Sequence, residues 1–181
     1  IASGLTYAVM VFATVHISGG HLNPAVTLGM WLAQKFSGSL AFFYIVSQIL
    51  GAILASAAIF YLFGAKSTDF ALGGPILSAD VSLVAALSFE AIFSAILVFV
   101  YFATMVDRAG PTSFGPLLVG FAFILAAAVL LPITGAAINP ARAIGTGIWK
   151  VYEGTAVSVV GPFVGSLVGI FYDTVFLRKK K

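Results

Sequence analysis

Two short stretches of this sequence combine an asparagine, a proline and glycines within an otherwise apolar chain. The first, ISGGHLNPAVTLG, covers residues 17–29, and the second, ITGAAINPARAIG, covers residues 133–145. Both contain an isoleucine, two glycines and the triplet Asn-Pro-Ala at the same positions. A side-chain amide offers donors and an acceptor to a passing molecule, and a glycine-rich backbone can present its carbonyl oxygens closely. The pattern therefore predicts that these two stretches line a polar path through the otherwise apolar protein.

The Asn-Pro pairs also mark the start of helices. Asparagine is a favoured N-cap, and proline fits the first helical position because it has no N–H to leave unbonded there. The apolar-rich residues 23–36 and 139–149 that follow are about half a bilayer long at roughly 1.5 Å per residue, which predicts two re-entrant half-helices. Irregular backbone ahead of them is tolerated at membrane depth only where it lines a cavity or is buried in protein.

Membrane-spanning helices must position these two stretches. Of the 181 residues, 61% are hydrophobic and 8% are charged, whereas an average soluble domain carries about 25% charged residues. Apolar segments close to the length of about 20 residues that crosses a bilayer occur in five places. They are residues 1–18, 39–63, 82–106, 114–132 and 155–177. The sequence predicts an all-α integral membrane protein with one transmembrane domain over residues 1–181.

The domain divides into two inverted repeats. Repeat one covers residues 1–63 and repeat two covers residues 114–177, each with the order span, half-helix, span. A connecting loop and one further span lie in residues 64–113, so the second repeat enters the membrane from the opposite side. Inverted repeats are typical of channels and transporters, whose pathways lie between the halves.

Charged residues orient the chain. Lys35, Arg108 and the basic tail at residues 178–181 lie on one side of the membrane, and Lys66 and Lys150 lie on the other. The positive-inside rule then predicts a cytoplasmic C-terminus. The sequence does not indicate which membrane is occupied.

Composition also excludes several classes of function. The chain has no cysteine, and its two histidines, His16 and His21, have no carboxylate close in sequence, so neither a metal site nor a redox cofactor is predicted. A net charge of +3 gives no indication of a nucleic-acid partner. No nucleophile–base pair or phosphate-binding loop is recognisable, which argues against an enzyme.

The paired Asn-Pro-Ala boxes, the arginine in NPAR and the lead-ins SGGH and ITG resemble the aquaporin, or major intrinsic protein, family over the whole chain. The resemblance implies a right-handed helical bundle with six spans and two half-helices. It also implies a homotetramer in the lipid bilayer, with one pore per subunit for water and small neutral solutes. Five spans are recognisable here, so the resemblance predicts a fragment without the first span.

The resemblance assigns roles to individual residues. The boxes that face the pore are Asn23, Pro24, Ala25, Asn139, Pro140 and Ala141. The selectivity filter is predicted at Ser3, Ala127, Ala136 and Arg142, and two further residues, Glu90 and His21, are predicted to anchor the loops.

Three alternatives remain open from the sequence. Small side chains at Ser3 and Ala127 predict a wide filter that passes glycerol or urea, whereas glyceroporins carry an aspartate where this chain has Ala143. A secondary transporter would use Glu90, an ionisable group within a span, for ion coupling. A junctional membrane protein with little permeability is the third alternative, and the presence of both asparagines and Arg142 argues against it.

Overall fold

The structure is a computed structural model that describes residues 1–149, 151–152 and 154–178, and every regular element within them is helical. The α-helices are α1 (Ala2–Ser18), α2 (Pro24–Leu32), α3 (Gly38–Phe63), α4 (Leu83–Tyr101), α5 (Gly115–Leu130), α6 (Pro140–Gly147), α7 (Thr155–Gly165) and α8 (Val168–Tyr172). Two π-helical turns, Phe102–Val106 and Asp173–Leu177, extend α4 and α8, and a 3-10 turn, Thr112–Phe114, precedes α5.

The predicted spans are confirmed as helices within a few residues. Among the described residues, four helices are long and apolar enough to cross a membrane: Gly38–Phe63, Leu83–Val106, Thr112–Leu130 and Thr155–Leu177. The first predicted span corresponds to α1, an apolar helix of 17 residues. The chain is therefore an all-α membrane protein, as the sequence predicted.

The last span is interrupted, which the sequence did not predict. Its hydrogen bonds change from four-residue to three-residue spacing beyond α7, where Leu167 N–H donates to Val164 O (3.2 Å) and Gly169 N–H donates to Ser166 O (3.0 Å). Half-helix α2 packs against this interruption, since a Cβ atom added to Gly29 would lie 3.1 Å from Ser166 O. The interruption therefore forms the surface of the last span against which α2 packs.

Both half-helices are shorter than predicted. The first half-helix was predicted over residues 23–36 but ends at Leu32. The second was predicted over residues 139–149 but ends at Gly147. The reason is visible after α2: Gln34 adopts a φ of 59°, and the Ser37 side chain accepts a hydrogen bond from Leu40 N–H to start α3. A left-handed residue followed three positions later by a new N-cap leaves no room for another helical turn.

Each half-helix packs against the last span of the other half of the chain. Gly145 of α6 contacts Ala52 of α3 so closely that a Cβ atom at position 145 would lie 2.5 Å from the Ala52 Cβ. In the same way, α2 contacts α8, because a Cβ atom at Gly169 would lie 3.0 Å from Gly29 O. The two halves of the chain are therefore interlocked rather than placed side by side.

Glycines also set the distances between spans. Helices α1 and α5 cross where a Cβ atom at Gly4 would lie 2.7 Å from Gly120 O, and α4 packs on α7 where one at Gly165 would lie 2.4 Å from Ala91 O. Small residues let helix backbones approach this closely in lipid, where packing replaces the hydrophobic drive.

We expect Gly165→Leu to destabilise the protein by about 1–3 kcal/mol or more, because overpacking forces α4 and α7 apart. The measurement is the melting temperature in detergent, which should fall by several degrees. Ala156→Leu is the matched control, since Ala156 lies on the same helix with its side chain exposed. Equal melting temperatures for the two variants would contradict this account of the α4–α7 contact.

Candidate functional site

The two Asn-Pro pairs begin the half-helices in the same way. The Asn23 side chain accepts a hydrogen bond from Ala25 N–H (2.8 Å), and the Asn139 side chain accepts one from Ala141 N–H (3.0 Å). Pro24 and Pro140 are the first residues of α2 and α6. The amide oxygens are thus used as N-caps, which leaves the amide nitrogens for other partners.

Each amide nitrogen binds the loop of the opposite repeat. Asn23 Nδ2 donates to Ile138 O at 3.0 Å, and Asn139 Nδ2 donates to Leu22 O at 3.0 Å. The N-termini of α2 and α6 therefore meet. An amide carries two N–H groups, and no second acceptor for either nitrogen is present among the described residues. Asn23 is fully buried, whereas Asn139 is partly exposed.

The backbone just before each asparagine is in an unusual conformation. Leu22 has a φ of 47° and Ile138 has a φ of 55°, both in the left-handed region that favours glycine. A β-branched residue such as isoleucine is held there only when its surroundings fix it. This conformation turns the carbonyls of both residues toward the asparagine of the other repeat.

A carboxylate fixes the loop before α6. Glu90 is completely buried, and its oxygens accept hydrogen bonds from Thr134 Oγ1 (2.5 Å), Ala137 N–H (2.9 Å) and Ile138 N–H (2.8 Å). Backbone N–H groups at membrane depth have no water to bond, so the carboxylate satisfies donors that would otherwise be unpaired. Glu90 is in contact with the loop that it was predicted to anchor.

The loop before α2 is held differently. His21 Nδ1 lies 3.1 Å from Thr27 Oγ1, which also accepts a hydrogen bond from Gln48 Nε2 (3.0 Å). Tyr7 donates its hydroxyl to His21 O (2.6 Å), and Tyr101 donates to Gly19 O (2.7 Å). The two tyrosines, Thr27 and Gln48 were missed from the sequence. Their polar groups within apolar helices were the signal that could have identified them.

Arg142 lies in the first turn of α6, and among the described residues its guanidinium donates only to backbone carbonyls. Nε and Nη2 bind Gly73 O at 3.0 and 2.8 Å, and Nη1 binds Ala136 O. Longer contacts of 3.4 Å join it to Gly135 O. Within the described residues no carboxylate lies at ion-pairing distance from Arg142. Its positive charge is therefore held in place by backbone carbonyls, and Glu90 attracts it from beyond ion-pairing distance.

An open cavity of about 630 Å³ lies beside this arginine. Ser3, Asn139, Ala141 and Arg142 line it, so the structure brings these predicted site residues together. Two other predicted filter residues, Ala127 and Ala136, are buried in the apolar core and are not among the residues that line the cavity. Ala136 still contacts the site, since its carbonyl binds Arg142.

Two half-helices that meet at their N-termini, and an arginine held beside an open cavity, define the site of a membrane channel. Residues 1–172 match the family model described as major intrinsic protein, and the chain belongs to that family. The predictions of the family, of its fold and of a passive channel rather than an enzyme are thereby confirmed.

Several relatives and one solved structure are similar over nearly all of the chain. Aquaporin Z from Photorhabdus laumondii is 36% identical over 99% of this chain, which spans 83% of that protein. The probable aquaporin PIP2-1 of Oryza sativa is 38% identical over 94% of this chain, which spans 62% of that relative. The X-ray structure of the aquaglyceroporin from Plasmodium falciparum aligns with a TM-score of 0.82 and 26% identity, covering 97% of this chain and 81% of the other.

Proposed function

We propose that the protein conducts water passively, in single file past Asn23 and Asn139, and excludes ions and protons. The observation that carries this proposal is the reciprocal pairing of each asparagine with the opposite loop, at 3.0 Å in both cases. The relatives named as aquaporins support water as the permeant.

Ion exclusion follows from the charges along the path. Each helix N-terminus carries about half an elementary positive charge, and the two ends of α2 and α6 meet. Arg142 adds a full positive charge nearer to the outer cavity. A cation that has lost part of its hydration at this point meets two successive barriers, whereas a neutral molecule meets neither.

Proton exclusion follows from the asparagine amides. One N–H of each amide is committed to a backbone carbonyl, and the other is proposed to donate to the oxygen of a passing water. A water that accepts hydrogen bonds from both amides has no lone pair left, so it cannot accept a proton from its neighbour in the file. Together with the electrostatic barrier, this interrupts proton relay.

Small neutral solutes such as glycerol or urea are a second candidate cargo. A small side chain at Ser3 and a cavity of about 630 Å³ beside Arg142 favour their entry. The aligned structure is named an aquaglyceroporin, which supports the same candidate. The alanine at position 143, in place of the aspartate typical of glyceroporins, argues for water as the main permeant.

A secondary transporter is the weaker alternative. Its coupling site would need an accessible carboxylate at membrane depth, and Glu90 is completely buried with three donors bound to its oxygens. A carboxylate committed to holding a loop is poorly placed to take up and release protons during a transport cycle.

The proposal includes the setting of the channel. We place the C-terminus in the cytoplasm, with repeat one at residues 1–63 and repeat two at residues 114–177. The protein is proposed to assemble as a homotetramer within lipid, as the family resemblance implies. Lys150 and residues 179–181 of the basic tail, which the orientation rests on in part, lie outside the described residues.

Stopped-flow light scattering on proteoliposomes tests the function. We expect water permeability well above that of protein-free vesicles, with measurable uptake of glycerol or urea and no conductance of cations. Water flux with both solutes excluded would contradict the wide filter. Water permeability equal to that of empty vesicles, from protein that is inserted and folded, would overturn the channel proposal.

A further inference from the structure

Three basic side chains line one open cavity at the ends of the spans nearest the C-terminus. They are Lys35 after α2, Arg108 after the π-helical turn that extends α4, and Arg178 after the π-helical turn that extends α8. The cavity has a volume of about 670 Å³ and shares no lining residue with the cavity beside Arg142. Permeation past the two asparagines therefore does not explain why these three cations lie together.

A buried carboxylate holds two of these cations in place. Asp173 is only 2% exposed, and its oxygens lie 2.6 Å from Lys35 Nζ and 2.7 Å from Arg178 Nε. The side chains of Lys35 and Arg178 are 32% and 58% exposed, so the carboxylate lies beneath the two cations that it binds. The cations are therefore positioned before any ligand arrives, which lowers the entropy that a ligand must remove on binding.

The second carboxylate of the cavity is bound to neighbouring groups of the protein. Asp107 is 7% exposed, and its oxygens accept hydrogen bonds from Ala109 N–H (3.0 Å) and the Tyr172 hydroxyl (3.3 Å). Donors remain on the cations, because Arg178 binds Asp173 through Nε and keeps both Nη groups. Arg108 is exposed, and its side chain makes no ion pair within the described part of the chain. The accessible surface of the cavity is therefore mainly cationic.

Apolar side chains border the cavity beside the cations. Ala33, Val106 and Leu177 line it, and Phe176, which precedes Leu177, is 40% exposed. A molecule in the cavity therefore meets positive charge at one end and apolar surface at the other. This arrangement matches a lipid, which joins a charged headgroup to acyl chains, and basic pockets between spans bind lipid headgroups by the same chemistry.

We propose that this cavity binds the phosphomonoester headgroup of an anionic lipid. A phosphomonoester carries about −1.5 to −2 charges near neutral pH and has three terminal oxygens, and three cations face it here. The guanidinium groups of Arg108 and Arg178 can each donate two hydrogen bonds to phosphate, and Lys35 adds a point charge. The inference goes beyond the proposed channel function and uses only its placement of this face at the cytoplasmic leaflet.

Calorimetric titration of the detergent-solubilised protein with dioctanoyl phosphatidic acid tests the proposal. We expect one bound lipid per chain, with an affinity about tenfold above that for dioctanoyl phosphatidylglycerol, a phosphodiester with less charge. Arg108→Gln should weaken the binding of phosphatidic acid about fivefold, the share of one basic residue near a membrane surface. Lys66→Gln is the matched control, since it removes the same charge from an exposed lysine of the loop between α3 and α4. Its affinity should equal that of the unmodified protein.

Further titrations separate the cavity from other sources of binding. Arg108→Lys keeps the charge and should recover most of the affinity. Equal affinity for the two lipids, or an unchanged affinity in Arg108→Gln, would overturn the proposal. Inorganic phosphate that binds as tightly as phosphatidic acid would assign the cavity to a free anion instead of a lipid. Complete loss of binding when only the lysines at residues 179–181 are replaced by glutamine would assign it to the tail.

Water permeability distinguishes this proposal from that of the channel. The Arg108→Gln protein should conduct water as the unmodified protein does, because Arg108 does not line the cavity that contains Asn139 and Arg142. Lipid binding without water flux in the unmodified protein would overturn the channel function alone. Water flux without selective binding of phosphatidic acid would overturn the lipid site alone.

Discussion

Glu90→Ala is expected to abolish most of the folded channel. The substitution leaves the Thr134 hydroxyl and the N–H groups of Ala137 and Ile138 without their acceptor. Each unsatisfied buried donor costs about 1–3 kcal/mol, so the total is about 3 kcal/mol or more, a large share of the stability of a typical domain. The measurement is the yield of monodisperse protein in detergent and its melting temperature.

Two further variants make this result interpretable. Glu90→Gln keeps one carbonyl oxygen as an acceptor, so its stability should fall between those of the alanine variant and the unmodified protein. Ser88→Ala, on the same helix with its side chain exposed, should have little effect. A Glu90→Ala protein with unmodified stability and water flux would show that the carboxylate does not hold the loop.

Arg142→Val should produce the largest change in selectivity. A unit charge about 5 Å from the path contributes about 3 kcal/mol at an effective dielectric constant of roughly 20. Because about 1.4 kcal/mol corresponds to a tenfold change, we expect cation or proton leak to rise by about a hundredfold. Water permeability should stay within about twofold, since the half-helix ends and both asparagines are unchanged. Ion flux is measured in vesicles with an imposed diffusion potential.

Arg142→Lys separates charge from geometry. Lysine keeps the positive charge but lacks the planar fork that binds Gly73 O through two nitrogens. We therefore expect cation exclusion to survive and solute selectivity to change. Equal cation leak in the valine variant and the unmodified protein would discredit the role given to this charge.

The local chemistry of the site was predictable from the sequence. The capping of the half-helices by Asn23 and Asn139 could be predicted because the capping rules need only neighbouring residues. Glu90 was recognisable as an ionisable group within a span, and the family resemblance implied that it accepts hydrogen bonds from a loop. Repetition of the Asn-Pro-Ala pattern predicted two inverted halves, since a repeat can be recognised without any knowledge of packing.

The remaining features depend on contacts between distant parts of the chain. Nothing near Asn23 indicates that its amide would bind Ile138 O, and nothing near Gly73 indicates that its carbonyl would bind Arg142. The interruption of the last span comes beyond Pro162, at Ser166, where half-helix α2 packs. Local propensity could not place the two loop contacts, because the partner that determines each one is remote in sequence, whereas Pro162 and the pair Gly165–Ser166 were a local signal for the interruption that was missed.

The interlocking of the two halves of the chain has a consequence for biosynthesis. Asn23 and α2 leave the ribosome early, yet their partners, the Ile138 carbonyl and the surface around Ser166, are translated late. The early half-helix therefore has neither contact while the nascent chain is being inserted. Maturation of the first re-entrant segment must wait until translation reaches the last span, so a chain terminated before that point would expose an incomplete loop to the lipid.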